Sequence, residues 1–294
     1  MENEIKENKI ACPLCGSGQT AFFLHKNKCD VYSCNLCQSR FVYPVPDSSS
    51  VYSEDYFSGA SNGFGYTNYD ADKQAMVPVF EGYMKHIIAL RPGRGALFDI
   101  GAATGFFLAI AARFGFSVSG VEISAYAADA ARKKGIDVTT GTLVDLPKES
   151  GPYDVVTMLD VIEHLSDPCA ELARVHAFLK PGGILIINTP DAGSLYARLL
   201  GSHWHLFVPP EHLVYFNRHS MRTALEQTGY RVISISTVGK KFTLPYIFKT
   251  LYMWQHLSLW KWLSEHTQGT WIRHIALPLN LFDNMFVVAE KKEI

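Results

Sequence analysis

The sequence predicts an α/β protein: a doubly wound, mainly parallel sheet preceded by a small module held together by a metal. Three observations carry this expectation. From about residue 70 onward, helix-like and strand-like segments alternate, as they do when parallel strands are joined by helical crossovers. An early strand runs into a glycine turn, Asp99-Ile100-Gly101-Ala102-Ala103-Thr104-Gly105, then a helix, a second strand and an acid, Glu122. Two Cys-x-x-Cys pairs, Cys12/Cys15 and Cys34/Cys37, lie near the N-terminus with 18 residues between them.

A chain of 294 residues accommodates one full α/β domain and something small. Its formal net charge of −1 lacks the basic surplus that gripping a nucleic-acid backbone requires. The opening MENEIKENKI is charged and has no apolar run, so no export signal is read and the expected location is cytoplasmic. In a reducing compartment, paired cysteines point to metal ligation rather than disulfides.

Three zones follow in order. Residues 1–46 hold the cysteine pairs, whose spacing is that of a zinc ribbon: each pair sets two thiolates on one knuckle, and four thiolates close a structural tetrahedron. Cys12, Cys15, Cys34 and Cys37 are the expected ligands; a segment this short needs such a staple to fold. Residues 47–69, rich in Ser, Gly, Asn and Tyr, read as a linker or lid, with Tyr66 and Tyr69 placed to close over a ligand. Residues 70–294 form the main domain. Helices are expected at 71–90 (with Pro78 at a start or kink), 105–114, 124–134, 168–179 and 218–228, and strands at 96–101, 116–121, 136–139, 153–159, 183–188, 230–237 and 284–290. Asp167 and Pro168 mark a helix start, and Lys180-Pro181-Gly182-Gly183 a stop. The aromatic stretch within about 240–282 contains Lys249, Gln255, His256 and Lys261, too polar for a membrane span, and reads as a helical insertion. It packs on the core or on a second subunit, caps an apolar substrate, or lies in a membrane interface.

The glycine turn has the spacing GxxxG rather than the GxGxxG of dinucleotide enzymes. Glycines at the turn let backbone approach a ligand, and the helix start at Gly105 offers N–H groups to a carboxylate. Asp99, two positions before Gly101, suits an ammonium, so the ligand carries an amino acid at this end. Glu122, at the tip of the next strand, suits a pair of ribose hydroxyls.

Together with VSGVEIS, LVDLP at 143–147, YDVVTMLDVIEHL and LKPGGILIINTP, the turn FDIGAATG resembles the class I S-adenosylmethionine-dependent methyltransferases over residues ~70–237. The resemblance implies a Rossmann-like sheet of seven strands whose last strand is antiparallel. It implies S-adenosyl-L-methionine as cofactor, with Asp99 and Gly101 at the methionine part, Glu122 at the ribose, Thr142 and Leu143 beside the adenine, and Leu159 and Asp160 under the sulfonium. Thr142 stands where many members have Asp.

Methyl transfer asks for alignment and, for a hydroxyl acceptor, a base or a metal. Glu163, His164 and His212 are the catalytic candidates. The run Asp160-Val161-Ile162-Glu163-His164 is similar to the Glu-x-x-Glu-His metal motif of ubiquinone-biosynthesis-type O-methyltransferases, with Asp at the first position. It offers a Mg²⁺ site at Asp160, Glu163 and His164; the competing reading is that these residues are structural, with His164 bonded to the backbone. His212 interrupts an apolar run and is either a second base or a loop tie. The preferred acceptor is a small molecule such as a sugar, polysaccharide precursor, quinone-like compound or natural product, apolar or lipid-linked. Bacterial sugar and natural-product methyltransferases resemble this arrangement. Some ribosomal RNA guanine methyltransferases carry a similar ribbon, which makes RNA the alternative. Against RNA, residues 1–50 balance five basic against five acidic side chains. A third reading is a ribbon-mediated interaction protein with a vestigial core.

Overall fold

The computed structural model describes residues 10–46, 69–147, 150–279 and 281–292. The linker at 47–68, with Tyr66, lies outside them. The ribbon contributes three antiparallel strands, β1 (Thr20–Lys26), β2 (Cys29–Cys34) and β3 (Arg40–Val42). Then come α1 (Tyr69–Lys73), a 3-10 turn (Gln74–Met76) and α2 (Val77–Leu90), where Pro78 occupies the first turn and so spares the helix its missing N–H.

The main sheet is built from β4 (Ala96–Ile100), β5 (Ser117–Glu122), β6 (Asp137–Thr140), β7 (Tyr153–Leu159) and β8 (Leu179–Pro190), joined by α3 (Phe106–Arg113), α4 (Ala125–Lys133) and α5 (Pro168–Phe178). Beyond β8 lie α6 (Leu195–Leu200), β9 (Val214–Tyr215), α7 (Arg218–Gln227) and β10 (Tyr230–Ser236). An excursion of β11 (Lys240–Thr243), α8 (Leu244–Gln255), α9 (Ser258–Gln268) and β12 (Ala276–Leu279) precedes β13 (Asn284–Lys291). The order across the seven-stranded sheet is β10-β13-β8-β7-β4-β5-β6. β13 is antiparallel to both neighbours, while β4 to β8 pair in parallel. The expected strand at 284–290 is therefore the inserted antiparallel strand.

Parallel strands covered on both faces need continuous apolar runs. Leu97, Phe98 and Ile100 of β4, and Ile184 to Ile187 of β8, are buried accordingly. One face is covered by α2 and α3, with Tyr83 stacked on Phe286 at 4.5 Å and Phe80 against Phe107 at 5.5 Å. The other face is shared by α5, α7 and the ribbon. The helix starts are capped as their sequence suggests: Asp167 accepts from the Ala170 N–H at 2.9 Å, and Asn217 and Ser220 cap reciprocally at 2.8 and 3.0 Å.

The ribbon is not a separate body. β9 adds to β3 as the fourth strand of its sheet, pairing Arg40 with Tyr215 and Phe41 with Val214. Asn217 donates to the Cys37 and Gln38 carbonyls at 3.2 and 2.7 Å, and Asn27 donates to the Pro209 carbonyl at 2.8 Å. Leu14, Val31, Phe41 and Val42 share one core with Trp204, Phe207 and Tyr215. Residues 46 and 70 bound the zones in sequence, and among the described residues the apolar core runs through both.

Candidate active site

β4 delivers the glycine turn. Gly101 and Gly105 have φ of 74° and 73°, left-handed values that side chains resist. A Cβ on Gly101 would stand 2.5 Å from Val161 Cγ2. Gly105 is the N-cap of α3 and brings no side chain to its first-turn N–H groups.

Two buried carboxylates flank the turn. Asp99 accepts from the Thr157 hydroxyl at 2.5 Å. Burial raises its pKa to about 7 despite that bond, and the negative charge of Glu122 adds to the rise. Glu122 accepts from the Ala103 and Ser124 N–H groups, both at 2.8 Å, tying the turn to the tip of β5. Burial also raises its pKa, against those two bonds.

At the C-terminal edge of the strands, where α/β sheets bind ligands, a pocket is lined by Asp99, Gly101, Leu159 and Asp160. Its opposite wall is Tyr69, Lys73, Met76, Phe80 and Tyr83 from the helices before the sheet. A polar chain crosses it: the Tyr83 hydroxyl donates to Asn188 Oδ1 at 3.1 Å, and Asn188 Nδ2 donates to Asp160 Oδ1 at 2.6 Å. Asp160 follows the end of β7 at φ 58°, a conformation few non-glycine residues adopt. Burial, helped by Asp160, raises the Tyr83 pKa.

Four of the eight expected cofactor residues thus line one pocket. Gly105, the N-cap of α3, and Glu122, bonded to the Ala103 N–H, are outside that lining. Thr142 caps a short turn with Asp145, which accepts from its N–H and hydroxyl at 2.8 and 2.9 Å. Leu143 turns its side chain into the core. Lys73, Tyr83 and Asn188 were missed. The helix at 71–90 was legible, but nothing local says which of its faces meets a sheet edge formed ~100 residues later.

The three catalytic candidates come together away from that lining. One ligand-type atom each from Glu163, His164 and His212 lies within 4.8 Å of the others. The two imidazoles meet edge to face at 4.9 Å. His164 Nδ1 bonds the Glu211 carbonyl at 2.7 Å, His212 Nδ1 bonds the Leu206 carbonyl at 3.0 Å, and Glu163 accepts from the Thr189 hydroxyl at 2.8 Å. Leu213 N–H also bonds the Glu163 carbonyl at 2.8 Å. This network ties 162–164 to the segment carrying β9. Asp160 faces Asn188 and the pocket instead, so the set Asp160, Glu163 and His164 is not assembled as one metal site.

The four cysteine thiols do converge. Cys12 and Cys37 sulfurs are 3.6 Å apart, as are those of Cys15 and Cys34, and all four lie within 4.8 Å. A tetrahedral zinc with Zn–S of about 2.3 Å sets sulfurs ~3.8 Å apart, so the cage fits that ion.

Among similar proteins are ubiquinone biosynthesis O-methyltransferases of Marinobacter nauticus, 28% identical over 186 residues (55% of this chain, 77% of the relative), and of Caulobacter vibrioides, 34% identical over 152 residues (48% and 55%). The chain thus spans only about half the length of the second. In fold, it is similar to the magnesium protoporphyrin IX methyltransferase of Synechocystis PCC 6803 solved with bound SAH (TM-score 0.52, 15% identity, 81% of this chain and 97% of that one). A methyltransferase-like structure from Bacillus halodurans gives a TM-score of 0.53 at 16% identity, covering 72% of this chain and 98% of that one. Residues 79–235, more than half of the chain, match the family described as "Methyltransferase domain", and with the glycine turn and sheet order above the chain belongs to that family as a class I S-adenosylmethionine-dependent methyltransferase.

Proposed function

We propose that the chain methylates an oxygen of a small-molecule acceptor bound between the sheet edge and the α1–α2 wall, with zinc in the four-cysteine cage as a structural ion. The observation that carries this reading is the pocket itself. It joins the end of β4, the end of β7 and an aromatic wall (Tyr69, Phe80, Tyr83) at one place. The oxygen acceptor is supported by the O-methyltransferase names of the relatives.

When bound, the cofactor would supply an activated methyl on a sulfonium for in-line transfer to an oxygen nucleophile. The residues present fit it. Asp99 and the open N–H groups of α3 match an ammonium and a carboxylate, and Glu122 keeps carboxylate lone pairs for ribose hydroxyls at the tip of β5. Thr142 and Leu143 would flank its adenine, and Leu159 and Asp160, which line the pocket, would lie under its sulfonium. Asp160, oriented by Asn188 and Tyr83, faces the pocket and is the group placed to take the acceptor proton; Glu163, His164 and His212 hold the floor in place rather than touch the acceptor.

The test is a transfer assay with methyl-labelled cofactor against cell extract fractionated into RNA, protein, lipid and small molecules. Label is expected in the small-molecule or lipid fraction, on oxygen. Label in RNA overturns the reading.

A further inference from the structure

The excursion between β10 and β13 takes no part in the seven-stranded sheet. Its composition differs from the rest of the chain. Residues 240–279 hold Trp254, Trp260, Trp262 and Trp271, four of the five tryptophans. They also hold five basic residues (Lys240, Lys241, Lys249, Lys261, Arg273) against the single acid Glu265, in a chain of net charge −1. Part of the aromatic content is internal: Phe248 stacks on Trp260 at 6.0 Å, and Ser264 of α9 bonds the Pro245 carbonyl of α8 at 3.2 Å.

Four other apolar side chains face water. Leu257 is 53% exposed, Leu259 57%, Trp262 51% and Trp271 74%. Leu259 and Trp262, three apart, share one side of α9, with Lys261 exposed between them. Trp271 opens the turn Trp271–His274, which packs on both α8 and α9. Exposed tryptophan and leucine among cations are the makings of a surface that lies in a lipid interface. Among the described residues, no helix is long and apolar enough to cross a membrane. A second copy is a poorer occupant, because two such faces would bring like charges together.

The excursion reaches the pocket's edge through β11. β11 packs on the turn Gln74–Met76, and Met76 lines the pocket beside Lys73.

We propose that α8, α9 and the Trp271 turn dock on an anionic lipid bilayer, so that an acceptor with an apolar tail reaches the pocket without crossing water. The docking needs no turnover, so its readout is separate from that of the oxygen-methylation reading.

The experiment is co-sedimentation of the full chain with vesicles of mixed phosphatidylglycerol and phosphatidylcholine, and with phosphatidylcholine alone. The chain should pellet with the anionic vesicles at low salt, at least about tenfold less with neutral vesicles or in high salt. Its tryptophan emission should shift to the blue on binding. Leu259→Ser/Trp262→Ser/Trp271→Ser and Lys261→Glu/Arg273→Glu should each weaken binding about tenfold or more, with zinc content and S-adenosylhomocysteine binding unchanged. Wild type remaining in the supernatant with anionic vesicles overturns the proposal, as does pelleting of both variants at the wild-type level. A concentration-dependent dimer that the apolar variant makes monomeric, without lipid binding by wild type, assigns the face to a second copy and also overturns it. Should the triple variant fail to fold, the charge variant decides.

Discussion

Asp99 sits where the fold and the cofactor make opposite demands. Its carboxyl is buried and its pKa is pushed to about 7, whereas an unfolded aspartate titrates near ~3.9. Between those values the folded chain keeps a proton that the unfolded chain has lost, so stability of the free protein falls as pH rises through that window and levels off above it. Asp99→Asn should therefore raise the melting temperature of the free protein at pH 8, and much less at pH 5, where the wild-type carboxyl is mostly protonated. The same variant should lose at least about tenfold in cofactor affinity, by the loss of a charged hydrogen bond. Wild-type affinity should itself drop as pH falls below 7, followed by calorimetry. An unchanged pH dependence in Asp99→Asn would show that another group binds the ammonium. Gly101→Ala makes a sharper geometric test: left-handed φ and a Cβ 2.5 Å from Val161 leave a side chain no room. Cofactor binding should vanish while zinc content stays at one per chain; normal binding would misplace the site.

At the scale of elements, Asn217 is a junction that sequence alone does not announce. It caps α7 and in the same geometry holds the Cys37 and Gln38 carbonyls of the second knuckle. Asn217→Ala should cost about 1–2 kcal/mol for the cap alone, and more if the buried knuckle carbonyls lose their donors. Denaturant unfolding should show a loss above that range, with faster zinc release to a chelator; a loss within the cap range and unchanged release would confine Asn217 to capping. This junction explains what was legible. The strands of the main sheet, and α5 with its Asp167–Pro168 start, were readable within a residue or two, because period, caps and glycine stops are local signals. The exception is β8, which begins at Leu179 and runs through the Lys180–Gly183 stop. β9 was invisible: two residues became a strand only because residues 40–41, more than 170 positions earlier, pair with them. His212, two residues before that strand, stands outside the pocket lining, with its Nδ1 on the Leu206 carbonyl. The excursion read as one helical insertion is a ribbon and two helices, because Phe242–Thr243 find partners in residues 276–277.

For the whole molecule, the consequence is that a metal held by the four cysteines would bear on a pocket some distance away. The four-cysteine cage closes the knuckles, the knuckles hold β3, and β3 pairs with β9. From β9, the backbone bond between Leu213 and Glu163 and the contacts of His164 and His212 reach the end of β7. Asp160, three residues before Glu163, lines the pocket. Arg40 reinforces the join, its guanidinium 4.2 Å from the Phe23 ring and 5.6 Å from that of Phe207 across the boundary. If the ribbon were an appendage, stripping the metal would unfold it and leave the methyltransferase domain melting as before. Because apolar core and sheet run through the boundary, metal removal should instead lower the main transition by well over the ~2–4 °C that 1 kcal/mol shifts a domain of this size. It should also reduce methyl transfer, and readdition of zinc before aggregation should restore both. Calorimetry of chelated and reloaded protein decides between the two pictures. A chelated chain that keeps its main transition and full cofactor binding would reduce the ribbon to a passenger.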